Sequence, residues 1–474
     1  MSKVIIIGGG ISGLTAAYRL LMRSKSQNFP LAVTLLEGSE KIGGSLSTIV
    51  EDGYWVEEGA DSFITNKTFA KHLAIDLGLE DFLIETNQSR RRSLIAMKDR
   101  LVPLPDGFLM VAPTRIPAFL KTPLLSIGGK LRALFEYFLP AGNLKGRDES
   151  VTQFLTRRFG AELFEKISQP MVGGIYTGDC NRLSARSTLP RFVDLETKYG
   201  SVIRALLKED SQAASTAAGA RYAIFNSLTG GLQMLIDALC EAIGQDNIRL
   251  SSKVTGLSKN GPKWMVKLSD QSTIEADAVV IACAAKVAGE ILSAVDQDLS
   301  LKLRTLNTAS SVVINFLFDD EDIAKPIDGF GFVVPAVENK NILACAAIST
   351  KFVKRAPAGQ TMLRVFIGGV LGKDLIDLDD HDLKLVALAE LSIYLKLKGD
   401  PLKTWVRRWP NSMPQYEIGH QDLIGSIEKS VDMLEGLALC GNSYHGVGIP
   451  DCVSSGERAA EMTLQTLQKH DLLR

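Results

Sequence analysis

Four consecutive β-branched residues, Val4-Ile5-Ile6-Ile7, run without a break into Gly8-Gly9-Gly10-Ile11-Ser12-Gly13 and then into residues 14–22, which carry helical patterning. No other feature restricts the fold so tightly. A buried strand has to stop, turn within a few residues and start a helix, which is how a parallel βαβ unit opens. In a G-x-G-x-x-G turn, Gly8 makes the sharp turn, Gly10 lets a phosphate approach the backbone, and Gly13 lets the helix lie close on the strand. Gly9, Ile11 and Ser12 complete the turn at a helix N-terminus, where free N–H groups and the dipole favour negative charge. The run Leu31–Leu36 reads as the second parallel strand and ends at Glu37-Gly38. A carboxylate there can accept both ribose hydroxyls of an adenosine. It disfavours the 2′-phosphate of NADP and leaves NAD and FAD open.

Composition bounds what can be built around this unit. With 474 residues the chain has room for about two to three domains, and 46% hydrophobic with 23% charged residues is a globular composition. Lys and Arg number 53 and Asp and Glu 54, a net charge of -1, which gives no field to hold a polyanion. Nucleic acid is therefore excluded as the main partner. The six cysteines (180, 240, 283, 345, 440, 452) have no metal or redox spacing, and the five histidines are scattered, so no metal site is expected. A reducing compartment fits best. No apolar run approaches the roughly 18 residues of a membrane span. The first 21 residues are too interrupted by glycine for a signal peptide, and the sequence starts at its first strand with no organelle presequence. These features point to the cytoplasm.

The residues after Glu37 narrow the cofactor. Gly43-Gly44-Ser45 and Val56-Glu57-Glu58-Gly59-Ala60-Asp61-Ser62-Phe63 follow the opening turn. Together they resemble the FAD-binding start of the amine-oxidase-like flavoproteins, a superfamily of monoamine oxidases, phytoene desaturases and porphyrinogen oxidases. Ser45 departs from the Arg or Lys usual after the second glycine pair. Thr229-Gly230-Gly231, an amphipathic helix through Ile243, alternating runs at 248–254 and 263–268 and a buried run at 276–281 resemble the second piece of the same domain. The resemblance places the Val254 backbone at adenine. A strand at 437–441 ending in Gly441, a glycine-rich loop at 442–449 and a helix from Pro450 to Lys469 close the domain. That helix N-terminus, aimed at a flavin, would stabilise negative charge on the reduced ring. Gly446-Val447-Gly448-Ile449-Pro450-Asp451-Cys452 is similar to the last flavin motif of porphyrinogen oxidases, which implies non-covalent FAD.

The most specific likenesses lie outside these fingerprints. Gln169-Pro170-Met171-Val172-Gly173-Gly174-Ile175-Tyr176-Thr177-Gly178-Asp179, with Leu183-Ser184, resembles a porphyrinogen oxidase signature in which a glycine carbonyl, here that of Gly174, sits near the substrate as the catalytic position. Trp409-Pro410-Asn411-Ser412-Met413-Pro414-Gln415-Tyr416 resembles another, its tryptophan a flavin contact. The chain is thus similar to the oxygen-dependent porphyrinogen oxidases of haem synthesis. Removing hydride from a methylene bridge between pyrroles demands no strong protein base, so the lack of a catalytic His or metal pattern is consistent. The resemblance implies a porphyrinogen substrate, oxygen as acceptor and peroxide as product. Arg90-Arg91-Arg92 lies where related plant enzymes place a propionate-binding arginine, and with Asp61 makes the expected substrate set; a solvated basic turn is the alternative.

The expected fold is α/β. A discontinuous Rossmann-like FAD domain comprises 1–75, 229–292 and 431–474. A mixed-sheet substrate domain comprises 76–112, 211–228 and 293–430, with strands at 312–318 and 363–368 and a helix at 383–396, its sheet lying over the flavin. A helical insertion spans 113–210. Within it, residues 113–147 hold basic residues at 115, 121, 130, 132, 145 and 147 against the single acid Glu136, interleaved with Leu124, Leu125, Leu131, Leu134, Phe135, Phe138 and Leu139. Either this is an amphipathic surface for a membrane, a haem-pathway enzyme or an acidic substrate, or it is an internal core face. Basic stretches and likeness to the soluble Gram-positive type favour coproporphyrinogen III, with four propionates, over protoporphyrinogen IX, with two. Another flavin amine oxidase or desaturase, or a non-catalytic tetrapyrrole-binding flavoprotein, stands as the further alternative. The oligomeric state is left open.

Overall fold

A computed structural model of the chain describes residues 1–142, 146–216, 225–370 and 372–472. Contacts divide the chain into two compact units, each discontinuous in sequence. One comprises Met1–Glu85, Ala223–Asn307 and Asp422–Arg474; the other comprises Thr86–Tyr222 and Thr308–Gln421. Residues 113–210 fall inside the second unit because Phe154, Phe159 and Leu163 share one core with the strand residues Ile95 and Val102.

The first unit is built on a five-stranded parallel sheet. β1 (Ser2–Ile7) is its centre, flanked by β2 (Leu31–Leu36) and Ala278–Ile281, with Ile248–Arg249 and Leu437–Leu439 at the edges. Val4 stands opposite Val33 on one side and Ala278 on the other. A strand covered on both faces needs apolar residues at every position, which is why β1 is continuous rather than alternating. Val4 and Ile6 pack toward α1 (Ile11–Ser26) and the helices Gln233–Ile243 and Ile449–Leu472. Ile5 and Ile7 pack toward Val254, Trp264, Val266 and Ile291 on the other face.

One element differs from the sequence expectation. Residues 248–254 are not one strand: Ile248–Arg249 is an edge of the parallel sheet, and Val254–Asn260 pairs antiparallel with Lys263–Leu268 in a separate three-stranded sheet. The chain turns between them at Ser251, with φ +51°. Ile248, Leu250 and Val254 keep the same parity across that turn, so periodicity alone did not place it.

The second unit holds a seven-stranded mixed sheet in the order Lys403–Pro414, Thr308–Asp319, Gln360–Gly368, Ile342–Ala347, Gly331–Val333, Ser93–Met97, Arg100–Pro103. Only Gly331–Val333 and Ser93–Met97 pair in parallel. Val312, Ile314 and Phe316 bury one face against Leu383, Ala387 and Leu391 of the helix Asp380–Leu395. In the helical part, Arg158 and Glu136 form a buried ion pair. Glu136 also accepts the Ser201 hydroxyl and the N–H groups of Val202 and Ile203, at 2.7, 2.9 and 3.0 Å, at the start of the helix Val202–Thr216. The apolar residues of 113–147 divide between the two expectations. Leu124 and Leu125 are core, whereas Leu131, Phe135 and Phe138 are exposed.

Candidate active site

The first unit concentrates donors and open space at the start of α1. Gly10 is the N-cap, no side chain caps the helix, and its first turn holds no acid. Orphan N–H groups and the dipole are therefore presented outward. Gly8 turns with φ +111°, and a Cβ on Gly13 would lie 2.0 Å from the Gly8 carbonyl oxygen, so only glycine permits this strand–helix approach. A Cβ on Gly10 would meet nothing within 4 Å. The three glycines thus stand in the three environments expected of a phosphate-binding turn.

Glu37 closes one side. Its Oε2 accepts the Gly9 N–H at 2.7 Å, and its Oε1 accepts the N–H and hydroxyl of Ser39, both at 2.9 Å. The second glycine pair abuts the same turn: Gly43 N–H donates to the Gly9 carbonyl at 2.9 Å, and Gly44 has φ +61°. Gly59 packs on the exposed Ser45, whose carbonyl oxygen would lie 1.8 Å from an added Cβ. Behind Gly59 and Ala60, the Asp61 carboxylate accepts the Ser62 hydroxyl at 2.7 Å and the Asp61 carbonyl accepts that of Ser227 at 2.8 Å. Gly38 lies beside Lys253, and the buried Val254 opens the antiparallel sheet.

The C-terminal helix Ile449–Leu472 reaches α1 directly. Ser12 donates its hydroxyl to the Cys452 carbonyl at 2.9 Å, and a Cβ on Gly456 would lie 2.3 Å from the Ser12 carbonyl oxygen. Gly441, with φ +129°, leads from the last strand into the loop carrying Val447 and Gly448. The Asp451 carboxylate fills the space beneath Gly446 and is paired with Lys67 at 2.6 Å. Sequence reasoning had no signal for that pair. Burial pushes the thiols of Cys283 and Cys452 up to about 12. An uncapped helix N-terminus, open space at Gly10 and a fixed carboxylate one strand away are what an adenine dinucleotide requires, so these residues fit the expected cofactor.

The remaining expected site residues lie in the second unit. Gly174 is exposed in the helix Gln169–Tyr176, which follows a π-helical stretch at Phe164–Ser168. Trp409 stands opposite Ser311 in the edge strand, with the Arg407 guanidinium 4.8 Å from its ring centroid. Arg90 is exposed, Arg91 is half-buried, and Arg92 pairs at the surface with Asp328 at 2.9 Å. The segments 169–184 and 409–420 meet through backbone bonds: Ser184 N–H to the Tyr416 carbonyl at 2.8 Å, and Ile418 N–H to that of Arg182 at 2.9 Å. No group of three metal-ligating side chains occurs among the described residues.

Comparison with known proteins decides the family. The chain matches the flavin containing amine oxidoreductases over residues 11–464. It belongs to that family. This flavin containing amine oxidoreductase is an FAD-dependent oxidoreductase. It is 35% identical over 466 residues to the coproporphyrinogen III oxidase of Bacillus subtilis (strain 168), with 98% of each chain covered. It is 33% identical over 472 residues to the coproporphyrinogen III oxidase of Staphylococcus aureus (strain NCTC 8325 / PS 47), covering 98% and 99%. A crystal structure from Exiguobacterium sp. 255-15, of a protein provisionally named protoporphyrinogen oxidase, superposes with a TM-score of 0.85 at 30% identity, covering 98% and 99%.

Proposed function

We propose that this enzyme dehydrogenates coproporphyrinogen III to coproporphyrin III, with three molecules of oxygen taking six hydrogens as three of hydrogen peroxide. The observation that carries the reading is the likeness to the coproporphyrinogen III oxidase of Bacillus subtilis, 35% identical with 98% of both chains covered.

In this reading residues 8–13 would hold the phosphates of FAD, Glu37 the ribose, and Val254 the adenine. Residues 59–62, Gly441 and 447–449 would hold the ring system. When bound, FAD supplies hydride acceptance and onward transfer to oxygen. The chain's own residues bind and orient. The Cys452 thiol, buried and held protonated at neutral pH, is a poor nucleophile for flavin attachment, which favours non-covalent binding. Gly174 provides the substrate with a carbonyl at a helix C-terminus, the negative end of the dipole, suited to a pyrrole N–H that becomes acidic as hydride leaves. Arg91, the half-buried member of its run, is the propionate partner.

Mixing the oxidised holoenzyme anaerobically with coproporphyrinogen III should bleach the flavin and yield the porphyrin fluorescence. A kcat/KM tenfold or more higher for protoporphyrinogen IX, about 1.4 kcal/mol of transition-state binding, would reassign the substrate. Bleaching by amines or carotenoid precursors alone would reassign the class, and no bleaching by any donor would leave a carrier.

The location of the enzyme is read from a second feature. No helix among the described residues is long and apolar enough to cross a membrane. Ile127, Leu131, Phe135 and Phe138 are 78, 62, 54 and 71% exposed and recur at helical spacing along Ile127–Leu134 and the 3-10 turn Phe135–Phe138. Such a stripe suits attachment of a cytoplasmic enzyme to a bilayer surface. Of the basic residues there, Arg132 is spent on the carbonyls of Thr156, Arg157 and Arg158, and Lys145 lies outside the described residues.

A further inference from the structure

Segments 169–184 and 409–420 meet in the second unit, and one side chain joins them. Gln415 is 4% exposed. Its Nε2 donates to the Tyr176 carbonyl at 2.9 Å and to the Met413 carbonyl at 3.2 Å. Its Oε1 occupies the space a Cβ on Gly178 would need, 2.2 Å away. Val370 N–H fastens the same turn by donating to the Thr177 carbonyl at 2.8 Å.

The helix held in this way, Gln169–Tyr176, ends on Thr177 in the left-handed region at φ +48°. A helix C-terminus leaves its last four carbonyls without intrahelical donors. Gly173 takes the Thr177 N–H and Tyr176 takes the Gln415 amide. Gly174 and Ile175 are the two of that set for which the described residues supply no backbone donor, and both are exposed. An acceptor in that position is useful only if its direction is fixed. A carboxamide suits the task, because it gives hydrogen bonds to two carbonyls without placing a second negative charge beside the helix end.

We infer that Gln415 is a positioning residue, whose amide locks the last turn of the Gln169–Tyr176 helix so that the Gly174 carbonyl keeps one orientation toward a substrate N–H. The inference rests on the porphyrinogen reading above. The contact is specific to the amide donor, since a carboxylate at the same place would face two carbonyl oxygens with nothing to donate.

The test is Gln415→Glu in the FAD-loaded enzyme, followed by stopped flow in two halves. At about pH 8 the anaerobic reduction of the flavin by coproporphyrinogen III should slow at least tenfold, with flavin content and reoxidation by oxygen within twofold of wild type. Lowering the pH toward about 6 protonates a carboxyl held against carbonyl oxygens and restores the donor, so the variant alone should recover. If Gln415→Glu does not fold, Gln415→Met should show the same slowing without acid recovery. Reduction within twofold of wild type in the folded variant, or both half-reactions failing together with loss of flavin, overturns the inference. Failure of the wild type to be reduced by any porphyrinogen overturns the functional reading and the inference with it; a wild type that is reduced beside an unaffected variant overturns only the role of Gln415.

Discussion

The Gly9 N–H donates to Glu37 Oε2 at 2.7 Å, which ties the end of β2 to the turn that opens α1. With Oε1 held by Ser39, the carboxylate is oriented before any ligand arrives. Preorganisation of this kind makes its contribution to binding larger than that of a mobile side chain. Glu37→Gln removes the charge and keeps the shape. Hydrogen bonds to a charged group contribute about 1.5 to 3 kcal/mol, so FAD should bind roughly ten- to hundredfold more weakly to the apoprotein. An unchanged Kd in a reconstitution titration would remove Glu37 from the site.

Gly10 and Gly13 should fail in different ways when each is changed to alanine. The new methyl at Gly13 would lie 2.0 Å from a backbone carbonyl oxygen that has no room to retreat, so Gly13→Ala should lower the yield of folded protein. The methyl at Gly10 meets no protein atom within 4 Å. Gly10→Ala should therefore fold with a melting temperature near that of wild-type apoprotein, yet retain little FAD. A yellow Gly10→Ala protein of normal flavin content would show that the phosphates lie elsewhere.

These glycines were legible because strand, turn and helix are consecutive in the chain, so each residue's environment is set by near neighbours. The break at Ser251 was harder, since Ile248, Leu250 and Val254 keep the same parity on both sides of it. What sequence reasoning missed lies far apart in the chain. Lys67 and Asp451 are 384 positions apart, and Gln415 and Tyr176 are 239 apart. A lysine among polar neighbours or a glutamine near a proline has no period that announces a partner; only the fold supplies it. Glu136 is the clearest case. As the single acid in a basic stretch it looks like a solvated exception, yet it is fully buried against Arg158.

That pair should dominate the stability of the second unit. Arg158→Met leaves the Glu136 carboxylate buried without its cation, a change that typically costs about 3 to 5 kcal/mol. Acid should weaken the same region. Burial would raise the Glu196 carboxyl, but hydrogen bonds from Arg157 and the Gly142 N–H outweigh it and hold it below the ordinary range. Glu162 is held down at about 2: its small burial is outweighed by Lys166 and Ser126. A depressed folded-state pKa stabilises above the ordinary value of 4.5 and loses that contribution as pH falls toward the folded value. Urea midpoints should thus hold steady from neutrality to about pH 5 and fall between about 4.5 and 2. A flat profile through that window would contradict the linkage.

The exposed stripe yields the last prediction. Ser126 caps its helix by accepting the Gly129 N–H at 3.0 Å, and Glu136, rooted on Arg158, pins the turn that carries Phe135 and Phe138. The stripe is therefore rigid, with its apolar surface displayed rather than collapsed onto the core. Exposed phenylalanines of a rigid helix that insert partly into a bilayer surface gain a fraction of the 1.5 to 3 kcal/mol or so of full burial each. Phe135→Ser with Phe138→Ser should consequently weaken sedimentation with phosphatidylglycerol-containing vesicles by about tenfold or more. Flavin content and melting temperature should remain near wild type, because neither ring is part of the core. Binding should be weaker at high salt because the exposed Lys121 lies beside the stripe, and should persist in part because the rings do not depend on charge. If wild type ignores both anionic and neutral vesicles, yet elutes as an oligomer that the double substitution dissociates, the stripe joins copies of the chain instead. If neither behaviour occurs, the surface reading is wrong.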